Sequence, residues 1–140
     1  MVLADGAGTP LGIHVEKASP AEVTLLEPTL RDGRSGSPRA KRRRPKRLLA
    51  DRGYDSNAAR ALLVKRDSAP IIPARRNHRR ATHQDGRKLR RYRRRWLIER
   101  TNSWLQSFRR LVVRYERSAS VFTALVHLSC ALIALKKVLG

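Results

Sequence analysis

Positive charge is very unevenly distributed along this chain of 140 residues, and this is the feature that most limits how it can fold. The segment from Arg39 to Arg117 holds 27 basic and six acidic residues, so the whole net charge of +21 lies within it. A hydrophobic content of 41% is enough for one core, and the length suits one domain. We therefore expect a folded domain whose central segment is suited to bind a polyanion, not a disordered basic tail.

Several classes of protein are disfavoured by composition. Cys130 is the only cysteine, which excludes an intramolecular disulfide framework and a cysteine-rich zinc site. No basic and then apolar leader follows Met1, so a secretory signal is not expected. The most apolar stretch, Val121 to Leu135, is shorter than the ~20 residues of a membrane-spanning helix. These features favour a soluble protein of a reducing bacterial cytoplasm.

The first third of the chain predicts a β-hairpin followed by a helix. Residues 2–4 lead into a turn rich in glycine, after which Leu11, Ile13 and Val15 alternate with polar or small residues. A capping box is predicted at Ser19, with Pro20 in the first helical position and Glu22 completing the box. Residues 31–46 are rich in Gly, Ser, Pro and Arg, which is typical of an exposed loop.

The middle of the chain predicts a strand, a helix and a second strand. A short apolar strand runs from Arg47 to Ala50, with Asp51 at its end, and Asp55 or Ser56 can cap the helix that follows. Residues 69–73 contain two prolines, which favour a strand at a sheet edge. Residues 75–88 predict another basic loop.

Two helices are predicted to complete the domain. The first runs from Leu89 to about Arg114. One of its faces is apolar and carries Leu97, Thr101, Trp104, Leu105, Phe108, Leu111 and Val112. The opposite face carries Tyr92, Arg95, Glu99, Ser103, Gln106 and Arg110. The second helix, Val121 to Val138, is apolar nearly all round and is expected to be buried. The predicted class is α/β, with a mixed sheet flanked by helices.

Asp51 and Glu99 are the two carboxylates whose placement suggests chemistry. Asp51 follows a predicted strand, where α/β sheets place ligands, and Glu99 lies on a polar helix face dominated by arginine. Carboxylates of this kind bind Mg²⁺, and paired ions support phosphodiester cleavage. A turn aspartate and a surface ion pair between Glu99 and Arg95 would also explain both residues. The spacing leaves these alternatives open.

The same residues resemble a known family. The segment from Leu48 to Ser56 (LLADRGYDS), together with Tyr92, Arg95 and Glu99, resembles bacterial insertion-sequence transposases of the DDE class. Their signature helix reads Tyr, two residues, Arg, three residues, Glu, six residues, Lys. Gln106 occupies the lysine position here, which puts the role of that position in doubt. The resemblance extends from the turn at Asp5 to the last apolar helix.

This resemblance implies an RNase H-like fold and two Mg²⁺ or Mn²⁺ ions held by two aspartates and a glutamate. Asp51 matches the second aspartate and Glu99 the glutamate, so both are the expected catalytic and metal-binding residues. The family's first aspartate lies upstream of the hairpin, and Asp5 is not assigned in its place. We therefore expect an N-terminally truncated catalytic domain that lacks the first catalytic strand and the usual DNA-binding region. Such a chain would bind metal weakly and be inactive by itself.

The resemblance also implies the partners. These are the DNA of transposon ends and target, and either an upstream reading-frame product or further copies of the chain in a homo-oligomer, in a nucleoid-associated location. No membrane partner is expected. The candidate DNA contacts are Arg42, Arg43, Arg44, Arg47, Arg75, Arg76, Arg79, Arg80, Tyr92, Arg93, Arg94, Arg95, Gln106 and Arg110. The alternative is a non-enzymatic basic protein that binds nucleic acid, in which Asp51 and Glu99 have no catalytic role.

Overall fold

The computed structural model describes residues 1–17, 19–33, 45–75 and 90–140. Its first element is the predicted hairpin, in which β1 (Val2–Ala4) pairs antiparallel with β2 (Pro10–Ile13). The hairpin crosses the next helix closely, because a Cβ added at Gly12 would lie 2.3 Å from the Cα of Gly33. Only glycine at position 12 permits this approach.

The first helical segment begins later than predicted. A 3₁₀ turn, Glu22–Leu25, passes directly into α1 (Leu26–Asp32), and the predicted capping box at Ser19 is wrong. Ala21 precedes the turn without a side-chain cap, and its carbonyl oxygen accepts from both the amide and the hydroxyl of Thr24. These two hydrogen bonds close the first turn of the helical segment.

The strand, helix and strand of the middle segment are confirmed. They are β3 (Arg47–Leu49), α2 (Asn57–Lys65) and β4 (Ala69–Ile71), and β3 pairs parallel with β4. The hydroxyl of Ser56 accepts from the amide of Ala59, so Ser56 is the predicted cap. Within the described residues the strands form two separate pairs, and helix and sheet are mixed as the α/β class requires.

The predicted continuous helix from Leu89 to Arg114 is wrong. A 3₁₀ segment, Arg90–Arg95, leads into α3 (Trp96–Gln106), and a short α4 (Arg109–Val112) follows. Phe108 interrupts the helix with an extended backbone (φ −82°, ψ 103°). Its ring packs against a buried cluster that includes Leu105 and Val126. Val112, predicted on the apolar face, is 61% exposed because the helix axis is broken before it.

The last helix, α5 (Ala119–Leu139), is longer than predicted and is not buried all round. Val126, Ser129 and Ile133 are buried, while Leu128, Leu132 and Leu135 are each about half exposed. Within the described residues it is the one helix long and apolar enough to cross a membrane by length and composition, which is weak evidence on location. Among the described residues, one face of this helix packs onto the hairpin, α3 and α4.

Two hydrophobic clusters hold the described residues together. The first core cluster consists of Leu26, Leu30, Leu48, Tyr54, Ala59, Leu63 and Ile72. The second core cluster consists of Ile13, Leu105, Val126 and Ile133. The hairpin lies between them, because Leu3 packs against the first cluster and its neighbour Val2 against the second.

Candidate active site

Asp51 lies directly after β3, at the start of a tight turn. Its backbone is extended, its carbonyl oxygen accepts from the amide of Tyr54, and its Oδ1 accepts from the amide of Arg52 at 2.6 Å. The side chain is 63% exposed. The buried Leu48 and Tyr54 anchor the two ends of this segment, so the turn presents a carboxylate to solvent from a rigid base.

The structure brings Asp51 to the helix that carries Glu99. The Tyr92 hydroxyl donates to Asp51 Oδ1 at 2.8 Å, and Arg95 Nη1 donates to the Tyr92 oxygen at 3.2 Å. The Arg95 guanidinium also lies 3.8 Å from Asp51 Oδ1 and 3.1 Å from Glu99 Oε1. Asp51 therefore lies beside Tyr92, Arg95 and Glu99, which are 41 or more positions further along the chain. The four residues form one exposed cluster, which we call the Asp51–Glu99 site.

The contacts set the charge states within the Asp51–Glu99 site. The hydrogen bond from Tyr92 and then the amide of Arg52 lower the pKa of Asp51, against a smaller opposing effect of burial. Burial and the hydrogen bond to Asp51 raise the pKa of Tyr92. The site thus holds an ionised Asp51 and a protonated Tyr92 at neutral pH, with the Arg95 cation between two carboxylates.

The hairpin tip fixes the position of α3. The Thr101 hydroxyl donates to the carbonyl oxygen of Gly8 at 2.7 Å, and Arg100 donates to that of Ala7 at 2.7 Å. Lys137 of α5 also donates to the Ala7 oxygen. Gly8 has φ +78°, and a Cβ there would press on Leu97, Arg100 and Thr101 at 3.1–3.2 Å. The glycine therefore permits the close docking that holds the Glu99 helix.

Asp5 is engaged within the hairpin turn. Its Oδ1 accepts from the amides of Ala7 and Thr9, each at 2.8 Å. Burial opposes ionisation of Asp5, but these hydrogen bonds outweigh it and lower its pKa. This carboxylate has the role of a turn residue.

The oxygen donors of Asp51 and Glu99 are of the type that Mg²⁺ or Mn²⁺ prefers. Both carboxylates are exposed, and a single guanidinium contacts both of them. In the described parts of the chain, no three side chains of His, Cys, Asp or Glu form a group that could hold a metal ion. The donor set therefore fits two ligands of a divalent cation and is incomplete as a site.

The predicted DNA contacts fall into two groups. Arg42, Arg43, Arg44, Arg76, Arg79 and Arg80 lie outside the described residues. Within the described residues, Arg47 and Gln106 are exposed, and Arg110 Nη1 lies 3.4 Å from Glu116 Oε1. Arg93 and Arg94 are exposed on the 3₁₀ segment that also carries Tyr92 and Arg95. These two exposed arginines are therefore next to Tyr92 and Arg95 along the chain.

Arg75, another predicted DNA contact, donates from its guanidinium to backbone oxygens of the turn after Asp51. Its Nε and Nη2 donate to the carbonyl oxygens of Arg52 and Gly53, at 3.2 and 2.7 Å. Its backbone amide donates to Asp55 Oδ2 at 2.7 Å. These contacts attach Arg75 to the turn that follows Asp51.

Asp55 and Arg60 are structural residues that the sequence pattern did not reveal. The Asp55 side chain is 2% exposed, and its Oδ1 accepts from Arg60 Nη2 at 2.7 Å and Nε at 3.1 Å. Sequence spacing predicted Asp55 only as a possible helix cap. The Arg75 amide that donates to Asp55 and the Ile72 oxygen that accepts from Arg60 both come from beyond β4. The spacing of five residues between Asp55 and Arg60 is the only local signal of this pair.

Arg100 was also missed as an organising residue. Its guanidinium lies 4.8 Å from the Trp96 ring and 4.6 Å from the Trp104 ring, which is a cation–π arrangement on both sides. Trp104 packs against the second core cluster as predicted, whereas Trp96 is 52% exposed.

Comparison with known proteins gives two matches. The profile of the family described as "Transposase DDE domain" matches residues 1–134. A protein of Burkholderia cepacia described as "Putative transposase for insertion sequence element IS402" is 38% identical over 137 residues, covering 94% of this chain. The chain spans about 60% of the length of that curated relative. No solved structure matches.

Proposed function

The chain belongs to the family of DDE-domain transposases, and from this premise we propose that it takes part in DNA transposition through metal-dependent cleavage and joining of phosphodiester bonds. The observation that carries the proposal is the convergence of Asp51, Tyr92, Arg95 and Glu99 on one exposed site. The partner is the DNA of an insertion-sequence end and its target, and the location is the bacterial cytoplasm and nucleoid.

Asp51 and Glu99 are the proposed ligands of Mg²⁺ or Mn²⁺. When bound, the ion would activate the attacking oxygen and stabilise the leaving oxygen at phosphorus. Tyr92 holds Asp51 Oδ1 in place through its hydroxyl, and the two hydrogen bonds at Oδ1 keep Asp51 ionised. Arg95 offers a guanidinium beside both carboxylates, in position to bind a phosphate oxygen.

The basic residues around the site are proposed to bind the DNA backbone. The 27 basic residues between Arg39 and Arg117 surround Asp51 and Glu99 in sequence, and the Arg95 guanidinium lies beside both carboxylates. Neutralising phosphates releases counterions, so binding should weaken steeply as salt is raised. The proposed architecture is RNase H-like, and an antiparallel hairpin followed by β3 with Asp51 at its end supports it.

The 140-residue chain by itself is proposed to be inactive. Asp51 and Glu99 are two of the three carboxylates that the family uses, and Asp5 is held by the hairpin turn. An upstream reading-frame product or further copies of the chain are proposed as its protein partners. Two remaining ligands should bind the cation weakly.

The test is the change in melting temperature that Mn²⁺ causes in the chain and in matched variants. We expect a small stabilisation at millimolar Mn²⁺ that is absent in Asp51→Asn and in Glu99→Gln. Glu27→Gln is the control, because Glu27 is an exposed carboxylate paired with Arg66 at 2.9 Å and should leave the effect intact. An equal Mn²⁺ effect in all variants would support the alternative, a basic nucleic-acid-binding protein without catalysis.

The same preparations test inactivity. Mg²⁺-dependent strand transfer by the unmodified chain that disappears in Asp51→Asn would overturn the proposal that the chain is inactive by itself, while supporting the site.

A further inference from the structure

Among the described residues, the side chain of Arg75 holds the turn after Asp51 from outside. The turn closes on itself through two backbone hydrogen bonds, from the amide of Tyr54 to the Asp51 oxygen and from the amide of Asp55 to the Arg52 oxygen. Gly53 lies at its centre with no neighbouring atoms near the position of a Cβ. Arg75 donates to the carbonyl oxygens of Arg52 and Gly53, so its guanidinium covers the middle of the turn.

The backbone of Arg75 is itself anchored in the domain. Its amide donates to Asp55 Oδ2, and the other oxygen of this buried carboxylate accepts from Arg60. Arg60 Nη2 also donates to the carbonyl oxygen of Ile72, a residue of the first core cluster. A buried carboxylate with charged partners of this kind holds its surroundings firmly, because a lost partner leaves an uncompensated charge.

We infer that Arg75 is a positioning residue for Asp51, and that it does not serve as a phosphate contact. The inference rests on the proposed function for its link to the metal site, since it assigns Arg75 the task of fixing the carboxylate that the reaction uses. A forked guanidinium can reach two carbonyl oxygens at once, whereas a lysine ammonium acts as a point charge. The identity of the residue as arginine, and not its charge, is what this role requires.

Arg75→Lys separates the two roles because it keeps the charge and removes the fork. Amide hydrogen exchange of Tyr54 and Asp55 should become about tenfold faster in this variant, as expected when hydrogen bonds that close a turn are weakened. Exchange of the Ser68 amide, which donates to Leu63 in a separate turn, should stay unchanged. Arg66→Lys is the matched control, since Arg66 pairs with Glu27 away from the Asp51 turn.

Two further readouts connect the turn to function. Mn²⁺ broadening of the Asp51 resonances should require a several-fold higher concentration in Arg75→Lys, with an unchanged melting temperature. In Arg75→Ala, the salt dependence of DNA binding should keep its slope, whereas loss of a phosphate contact would reduce the slope by about one.

The exchange result decides the positioning role of Arg75, and the salt slope of Arg75→Ala decides whether Arg75 also contacts a phosphate. Unchanged exchange of Tyr54 and Asp55 in Arg75→Lys would overturn the positioning role, and so would faster exchange that extends equally to Ser68. Failure of the proposed function would instead appear as no Mn²⁺ effect at Asp51 and no DNA binding in the unmodified chain.

Discussion

The two carboxylates of the Asp51–Glu99 site are supported by two hydrophobic clusters that differ in how completely their side chains are buried. Asp51 follows β3 on the first core cluster, where Leu63 and Ile72 are 0% exposed. Glu99 lies on α3, which packs on the second core cluster, where every member keeps 5–8% exposure. A more fully buried cluster thus supports Asp51 and a less fully buried one supports Glu99, and polar contacts from Tyr92 and Arg95 join the two carboxylates. The site depends on the relative position of two units more than on either one.

The largest expected effect is a cavity in the first core cluster. Leu63→Ala should lower the free energy of unfolding by about 3 kcal/mol, because Leu63 is fully buried among packed neighbours. Leu132→Ala on α5 is the matched change at a position that is 45% exposed, and it should cost less than about 1 kcal/mol. Urea unfolding of both variants measures the difference, and similar losses would mean that α5 is more buried than the structure shows.

A smaller effect is expected where the hairpin meets α3. Thr101→Val keeps the shape of a side chain that is 0% exposed but removes the donor to the Gly8 oxygen, at a cost of about 1–2 kcal/mol. Ser103→Ala is the control, because the Ser103 hydroxyl donates to the backbone carbonyl oxygen of Glu99 on an exposed face of the same helix. Thermal unfolding compares the two variants. Equal losses of stability would show that the hairpin contact of Thr101 contributes no more than the exposed hydrogen bond of Ser103.

The smallest effect is expected at the polar link between the two units. Tyr92→Phe removes the leading cause of the lowered pKa of Asp51, so this pKa should rise toward its ordinary value. Because the pKa of folded Asp51 is lowered, its stabilisation is present above the unfolded pKa and is lost as the pH falls through the folded pKa. Asp51 is 63% exposed, so solvent screening limits the change at neutral pH to less than about 1 kcal/mol.

Carboxyl NMR of Asp51 as a function of pH measures this link directly. Tyr115→Phe is the control, since Tyr115 is 62% exposed on the segment between α4 and α5. An Asp51 titration that is the same in Tyr92→Phe and in the unmodified chain would show that the two units do not meet at this hydrogen bond.

Much of the local structure could be predicted because it depends on neighbours in sequence. Alternation at Leu11 and Ile13 indicated β2, Ser56 before an apolar helix indicated its cap, and the Tyr92, Arg95 and Glu99 spacing placed three side chains on one face. Each of these follows from the periods of strand and helix or from the chemistry of a helix end. The association of Asp51 with Glu99 came from the family resemblance, and the structure places both beside Arg95.

Tertiary packing decided those features for which the local sequence pattern favours one structure and contacts with distant residues favour another. The helical periodicity of the sequence continues through Phe108. In the structure Phe108 packs against the second core cluster with an extended backbone, and the helix is interrupted there. The apolar character of α5 predicted burial, yet burial depends on whether another element covers each face, and among the described residues only one face is packed.

The sequence by itself determined the strands, most helix positions and the single basic region, and the family resemblance supplied the residues of the candidate site. The tertiary structure decided what each cation in that region contacts. Arg75, Arg60 and Arg100 resemble the other arginines in sequence, but their guanidinium groups reach backbone oxygens, a buried carboxylate or tryptophan rings. A long flexible side chain can reach several groups, and only the fold brings one of those groups within hydrogen-bonding distance.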